Sequence, residues 1–108
     1  MHEQTDRLET FHRVAEVLHC KWTLAVLDAI DRGSARPSEI KDALPGLSDK
    51  VLGERLRKLE RYGVLEREAF AEIPPRVEYT LTEQGRELAE LVRKVAAFAE
   101  RWTPEPGA

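Results

Sequence analysis

The feature that most constrains this chain is a change of hydrophobic period at Gly63. Before it, apolar residues recur at three- and four-residue steps, the signature of amphipathic helices. After it, Val64-Leu65-Glu66-Arg67-Glu68-Ala69-Phe70 and Val77-Glu78-Tyr79-Thr80-Leu81 alternate apolar and polar, as half-buried strands do. Pro74-Pro75 between them forbids one continuous strand and makes a stiff loop tip. The helical period resumes after Thr82. This order predicts a mainly α fold with a small β-hairpin.

Four helices are expected before the hairpin. Thr5 or Asp6 can cap the first, with Leu8, Phe11, Ala15 and Leu18 on one stripe. Lys21 to Asp31 reads as the second, with Trp22, Leu24, Leu27 and Ile30 inward and Gly33 as its stop. Pro37 suits the first position of a short third helix, and Glu39 in its first turn complements the helix dipole. Ile40, Ala43 and Leu44 are expected to face the core, and Pro45-Gly46 to end that helix. Ser48 caps the fourth, which runs to Tyr62 and buries Leu52, Leu56 and Leu59. In the last helix Leu88, Leu91, Val92, Val95, Ala99 and Trp102 share a face. A chain of 108 residues is expected to form one domain, spanning 1–108, with too little core to bury all of that face. The surplus is expected to meet a second copy, with 5–20 and 82–102 as dimerisation helices and 103–108 as a loose tail.

Composition excludes several classes. The longest apolar run, Val95 to Ala99, is far short of the roughly 20 residues of a membrane helix, and with a polar first stretch no secretory signal is expected. One cysteine, Cys20, cannot form an intrachain disulfide and fits a reducing, cytoplasmic setting. No glycine-rich phosphate loop or nucleophile–histidine arrangement is present, so an enzyme is not expected and no cofactor is implied. The net charge of −3 is unevenly distributed. Residues 48–63 alone are net positive, with Lys50, Arg55, Arg57, Lys58 and Arg61 against three acids. That segment is the place to look for a phosphate-facing surface.

A helix, a turn, a second helix and a hairpin make the winged helix-turn-helix plan: the second helix enters the major groove and the hairpin reaches neighbouring backbone or minor groove. The stretches KWTLAVLDAI, SEIKDALPGLSDKVLGERLRKLERYGVLERE and IPPRVEYTLTEQGREL closely resemble the HxlR family of bacterial transcription regulators. The resemblance covers roughly residues 15–102, and its marks include Lys21-Trp22, Gly46-Leu47-Ser48, Arg55-Leu56 and the run from Pro74 to Tyr79. It implies a homodimer on double-stranded operator DNA, with the terminal helices as the seam. This chain has Pro37 where the family usually carries an aromatic, and Gly53 where it carries a small hydroxyl. Redox-sensing relatives carry an early cysteine whose matching position here is near Glu9.

The candidate DNA surface comprises Ser38, Ser48, Lys50, Val51, Gly53, Glu54, Arg55, Arg57, Lys58 and Arg76. Lys50, near the helix start, is the candidate base reader, and Arg55 either pairs with a carboxylate or touches phosphate. Arg76 is the one hairpin residue expected to point at DNA, because Glu66, Glu68, Glu72 and Glu78 would repel phosphate. The candidate seam comprises Leu8, Phe11, Leu88, Leu91, Val95 and Trp102, with room for a small-molecule effector. Two other readings stay open. One is a winged-helix protein-interaction module, favoured by the acidic hairpin. The other is a sensor using the thiol of Cys20 or metal ligands His12 and His19, for which solvated side chains are the commoner explanation.

Overall fold

The computed structural model describes the backbone of residues 2–19 and 22–102, and the side chains of 6–16 and 22–102. The elements are α1 (His2–His19), α2 (Thr23–Asp31), α3 (Pro37–Ala43), α4 (Asp49–Arg61), β1 (Leu65–Phe70), β2 (Arg76–Leu81) and α5 (Glu83–Arg101). This is a winged helix-turn-helix: mainly helical, with one antiparallel hairpin paired in register from Leu65↔Leu81 to Phe70↔Arg76. None of the described helices is long and apolar enough to cross a membrane.

One core forms where α2, α3, α4 and the root of the hairpin meet. It holds Val26, Ile30, Ile40, Leu47, Leu52, Leu56, Leu59, Leu65 and Tyr79. Only the root of the hairpin joins it: Leu65 and Tyr79 turn inward, whereas Glu66, Arg67, Glu68 and Ala69 are all exposed. β1 therefore does not alternate as its sequence suggests, because nothing packs on those residues beyond the root. The Tyr79 N–H donates to the Ala35 carbonyl at 2.8 Å, which fastens the hairpin to the connection between α2 and α3.

Three expectations about the helices need correction. First, α1 begins at His2, ahead of the Thr5 or Asp6 cap, because nothing in His2–Gln4 breaks a helix. Second, α2 starts at Thr23 rather than Lys21. Trp22 is its N-cap residue, with φ 78°, a left-handed conformation that is uncommon for a bulky side chain. There its ring packs on the core close beneath Gly46 of the α3–α4 turn. Thr23 and Val26 are buried in α2, and Leu24 is only half-buried. Third, Ala43 is exposed, so α3 contributes Ile40 and part of Leu44 to the core.

α5 is joined to the hairpin root by close backbone contact. The Thr82 hydroxyl donates to the Gly63 carbonyl at 2.7 Å and accepts from the Gly85 N–H at 3.0 Å. Gly85 is buried here, and a Cβ on it would stand 2.1 Å from the Val64 carbonyl oxygen. Only glycine lets α5 approach this closely. Beyond Ala89 the helix leaves the core. The radius of gyration, 16.0 Å, exceeds the value of about 13 Å for a compact chain of this length, as expected when long helices project outward.

Candidate nucleic-acid interface

The surface is built from the turn before α4. Pro37 occupies the first turn of α3, and Glu39 reaches back so that its Oε1 accepts from Arg36 N–H at 2.9 Å and Ala35 N–H at 3.0 Å. These two bonds, Arg36 first and Ala35 second, hold the Glu39 carboxyl below its ordinary pKa. Leu47 anchors the turn in the core, and Gly46, with φ 95°, lets the chain reverse. The Ser48 hydroxyl then caps α4 by accepting from Val51 N–H at 3.1 Å. Lys41 Nζ meets Asp49 Oδ1 at 2.8 Å, a second tie between α3 and α4.

Leu52, Leu56 and Leu59 are buried, which fixes the rotation of α4 about its axis. On the opposite side Lys50, Gly53, Glu54, Arg57 and Arg61 recur at three- and four-residue steps, so they share a stripe. Lys50, Arg57 and Arg61 are exposed; Gly53 and Glu54 are half-buried. A Cβ on Gly53 would come within 3.3 Å of Arg57 Nη1. The absent side chain therefore leaves room for the Arg57 guanidinium to lie back along α4 towards Lys50. Ser38 and Ser48 are exposed, and Arg55 is half-buried.

Three candidates stand differently from expectation. Val51 packs against the core, since its position turns it towards the buried stripe. Lys58 is turned towards α1, where its Nζ donates to the Glu16 carbonyl at 2.7 Å. Arg76 is held inside the hairpin. Its guanidinium meets Glu72 at 2.8 Å and Glu78 at 3.2 Å and lies 4.0 Å from the centre of the Phe70 ring. Glu78 is also 3.6 Å from Arg36. The acids that were expected to repel phosphate have drawn the arginine to themselves. What the tip presents instead is Ile73, fully exposed beside Pro74 and Pro75. A lone isoleucine in an unpaired polar segment was the signal for it. Between the tip and the start of α3 lies a cleft of about 490 Å³ that includes Arg36, Ser38, Pro75 and Arg76.

The candidate seam divides in two. Leu8, Phe11, Leu91, Val95 and Trp102 are exposed, joined by Val14 and Phe98, which the pattern had not singled out. The Phe98 and Trp102 rings lie 6.2 Å apart. Leu88 is half-buried and packs on the core, so it belongs to the protomer's interior. His12 lines an open cleft with Glu9, Arg13 and Glu16. Among the described residues no group of three or more histidine, cysteine or acidic side chains converges as a metal site. Cys20 and the His19 side chain lie outside the described residues.

The profile of the HxlR-like helix-turn-helix family matches residues 17–106. The chain is 38% identical over 99 residues to the HTH-type transcriptional regulator sll1512 of Synechocystis, covering 92% of this chain and 73% of that one. It is 37% identical to the HTH-type transcriptional regulator YvaP of Bacillus subtilis, covering 92% of each. The structure resembles the reduced form of the transcriptional regulator YodB from B. subtilis, with a TM-score of 0.77 and 32% identity, covering 92% of this chain and 96% of that one.

Proposed function

The chain belongs to the HxlR-like helix-turn-helix family of DNA-binding transcription regulators, and from that premise we propose how it holds DNA. It acts in the cytoplasm as a homodimer on double-stranded operator DNA, by binding rather than catalysis. α4 enters the major groove from its capped start, with Ser48 and Lys50 towards base edges and Arg57 and Arg61 towards phosphates. The observation that carries this reading is the stripe of exposed cations opposite Leu52, Leu56 and Leu59, behind a turn fixed by Leu47, Ser48 and Glu39. The hairpin approaches the duplex through Ile73-Pro74-Pro75, an apolar tip suited to sugar and groove-wall contact.

The exposed apolar faces of α1 and α5 support the dimer. Leu8, Phe11, Leu91, Val95, Phe98 and Trp102 would otherwise meet water together. Two-fold pairing places the half-sites about one helical turn apart, or a multiple of it. The same apolar seam suits a small apolar effector. Replacing Leu91 and Val95 together by glutamate should give monomers in light scattering and abolish tight operator binding; a dimeric double variant would remove this seam. Fluorescence anisotropy with promoter-proximal and random duplexes at two salt concentrations tests the whole reading. Specific binding that weakens steeply with salt is expected. The internal pairing of Arg76 with Glu72 and Glu78 favours the alternative, a protein-interaction module. Absence of binding to both duplexes at low salt would select it.

A further inference from the structure

Two hydrogen bonds cross from the end of α4 to the last turns of α1. Tyr62 OH donates to Glu16 Oε2 at 2.6 Å, and Lys58 Nζ donates to the Glu16 carbonyl oxygen at 2.7 Å. One residue of α1 thus takes one bond through its side chain and one through its backbone. The location makes chemical sense. Glu16 lies within the last four residues of α1, where carbonyls have no partner inside the helix and a cation is favoured by the dipole.

The contrast with the rest of α1 gives these bonds their importance. Every described side chain from Asp6 to Glu16 is exposed, so along that stretch packing within the protomer does little to fix α1. α4, by comparison, is held in depth and rotation by Leu52, Leu56 and Leu59, and at its start by the α3 turn. Its far end is the part reached by α1.

We propose that Glu16, Lys58 and Tyr62 are positioning residues that transmit the geometry of the dimer seam to the DNA-reading helix, and so set the half-site spacing the dimer accepts. The inference rests on the homodimer reading above. In the dimer α1 is fixed by its partner copy, and the two bonds then fix the outer end of α4 relative to that copy. Loss of the bonds leaves each half-site contact in place but loosens the distance between the two α4 helices. Discrimination between operators of different spacing falls, while affinity for a single half-site stays the same.

The experiment compares Kd for duplexes carrying the preferred half-site spacing with duplexes lengthened or shortened by two base pairs, and for a single half-site. Tyr62→Phe removes one bond without changing charge. Its preference for the correct spacing should fall about two- to tenfold, the range for one modest hydrogen bond. Glu16→Gln keeps an acceptor for Tyr62 and the carbonyl for Lys58, so it should behave as wild type. Glu16→Ala should reproduce the loss, and provides the second variant should Tyr62→Phe fold poorly. Light scattering on each protein keeps the two readings apart. A monomeric wild type would overturn the dimer. Dimeric variants with unchanged spacing preference would overturn the positioning role and leave the dimer standing. An equal loss of affinity on every duplex, single half-site included, would also overturn it.

Discussion

α4 and α5 are both strongly amphipathic, yet they use their apolar faces in different ways. α4 buries Leu52, Leu56 and Leu59 within its own protomer and leaves cations outside. α5 buries Gly85 and Ala89, half-buries Leu88 and Val92, and leaves Leu91, Val95, Phe98 and Trp102 in the open. At about 100° per residue, the exposed set on α5 is turned roughly a quarter of a circle from the buried one. An apolar stripe says that a helix has a partner. It does not say whether that partner belongs to the same chain.

The largest expected effect tests that distinction directly. Leu59 is fully buried, so Leu59→Ala should lower unfolding stability by about 2–5 kcal/mol. Urea titration should show this loss at every protein concentration. Leu91, 57% exposed, should behave otherwise. Leu91→Ala should leave the dilute protein nearly unchanged and weaken it only at concentrations where the wild type is dimeric. A loss at Leu91 that ignores concentration would mean its partner lies within the protomer, and the contrast between the two helices would fail.

The next effect concerns the cations that α4 frees by burying its leucines. Lys50→Ala should cost about 1–3 kcal/mol of operator affinity and relax preference at one base pair, as expected for a guanine reader. Arg76→Ala should leave the salt slope of binding almost unchanged, because Glu72 and Glu78 already neutralise that guanidinium. Anisotropy titrations of the two variants across a salt series decide the matter. A slope flattened by about one unit in Arg76→Ala would return the hairpin arginine to the phosphate backbone.

Much of the fold was legible because its signals are local. Ser48, Thr82 and Pro37 occupy the helix starts expected of them, and the period change at Gly63 marks the hairpin root. The rest depended on how the folded chain brings groups together. Lys58 looks like a phosphate ligand until Glu16, 42 positions away, takes its ammonium. The hairpin's acids were visible as a repulsive group, but only the turn between the strands brings Glu72 and Glu78 around Arg76. The apolar residues of α5 form one list in sequence, and only the seating of Gly85 against Val64 divides them into inner and outer sets.

Gly53 gives a smaller effect that sharpens the picture of the α4 stripe. Glycine inside a helix costs about 0.5–1 kcal/mol relative to alanine. The nearest obstacle to a new Cβ is Arg57 Nη1 at 3.3 Å, the far end of a flexible side chain. Gly53→Ala should therefore raise stability by about 0.5–1 kcal/mol while displacing the guanidinium, so that operator affinity falls as unfolding stability rises. Unchanged affinity in the stabilised variant would show that the placement of Arg57 over Gly53 has no part in DNA contact.

The smallest effect comes from Glu39, which steadies the start of α3 and through it the approach to α4, as the Arg93–Asp31 ion pair ties α5 to the end of α2. Its carboxylate accepts two backbone bonds in the folded state and has none to rely on when unfolded, so its folded pKa is the lower one. A carboxyl of this kind contributes stability that is present above its unfolded pKa and is lost as the pH falls through the folded value. Glu39→Gln keeps a neutral acceptor and cannot titrate. The urea midpoint of the wild type should exceed that of the variant near neutrality, and the difference should shrink as the pH is lowered from about 5 towards 3. If the gap did not narrow as the pH fell, the ionised carboxylate would not be what holds the turn. If the gap closed but spacing and affinity on DNA at neutral pH were the same in both proteins, Glu39 would steady the fold of α3 without setting how α4 meets the groove.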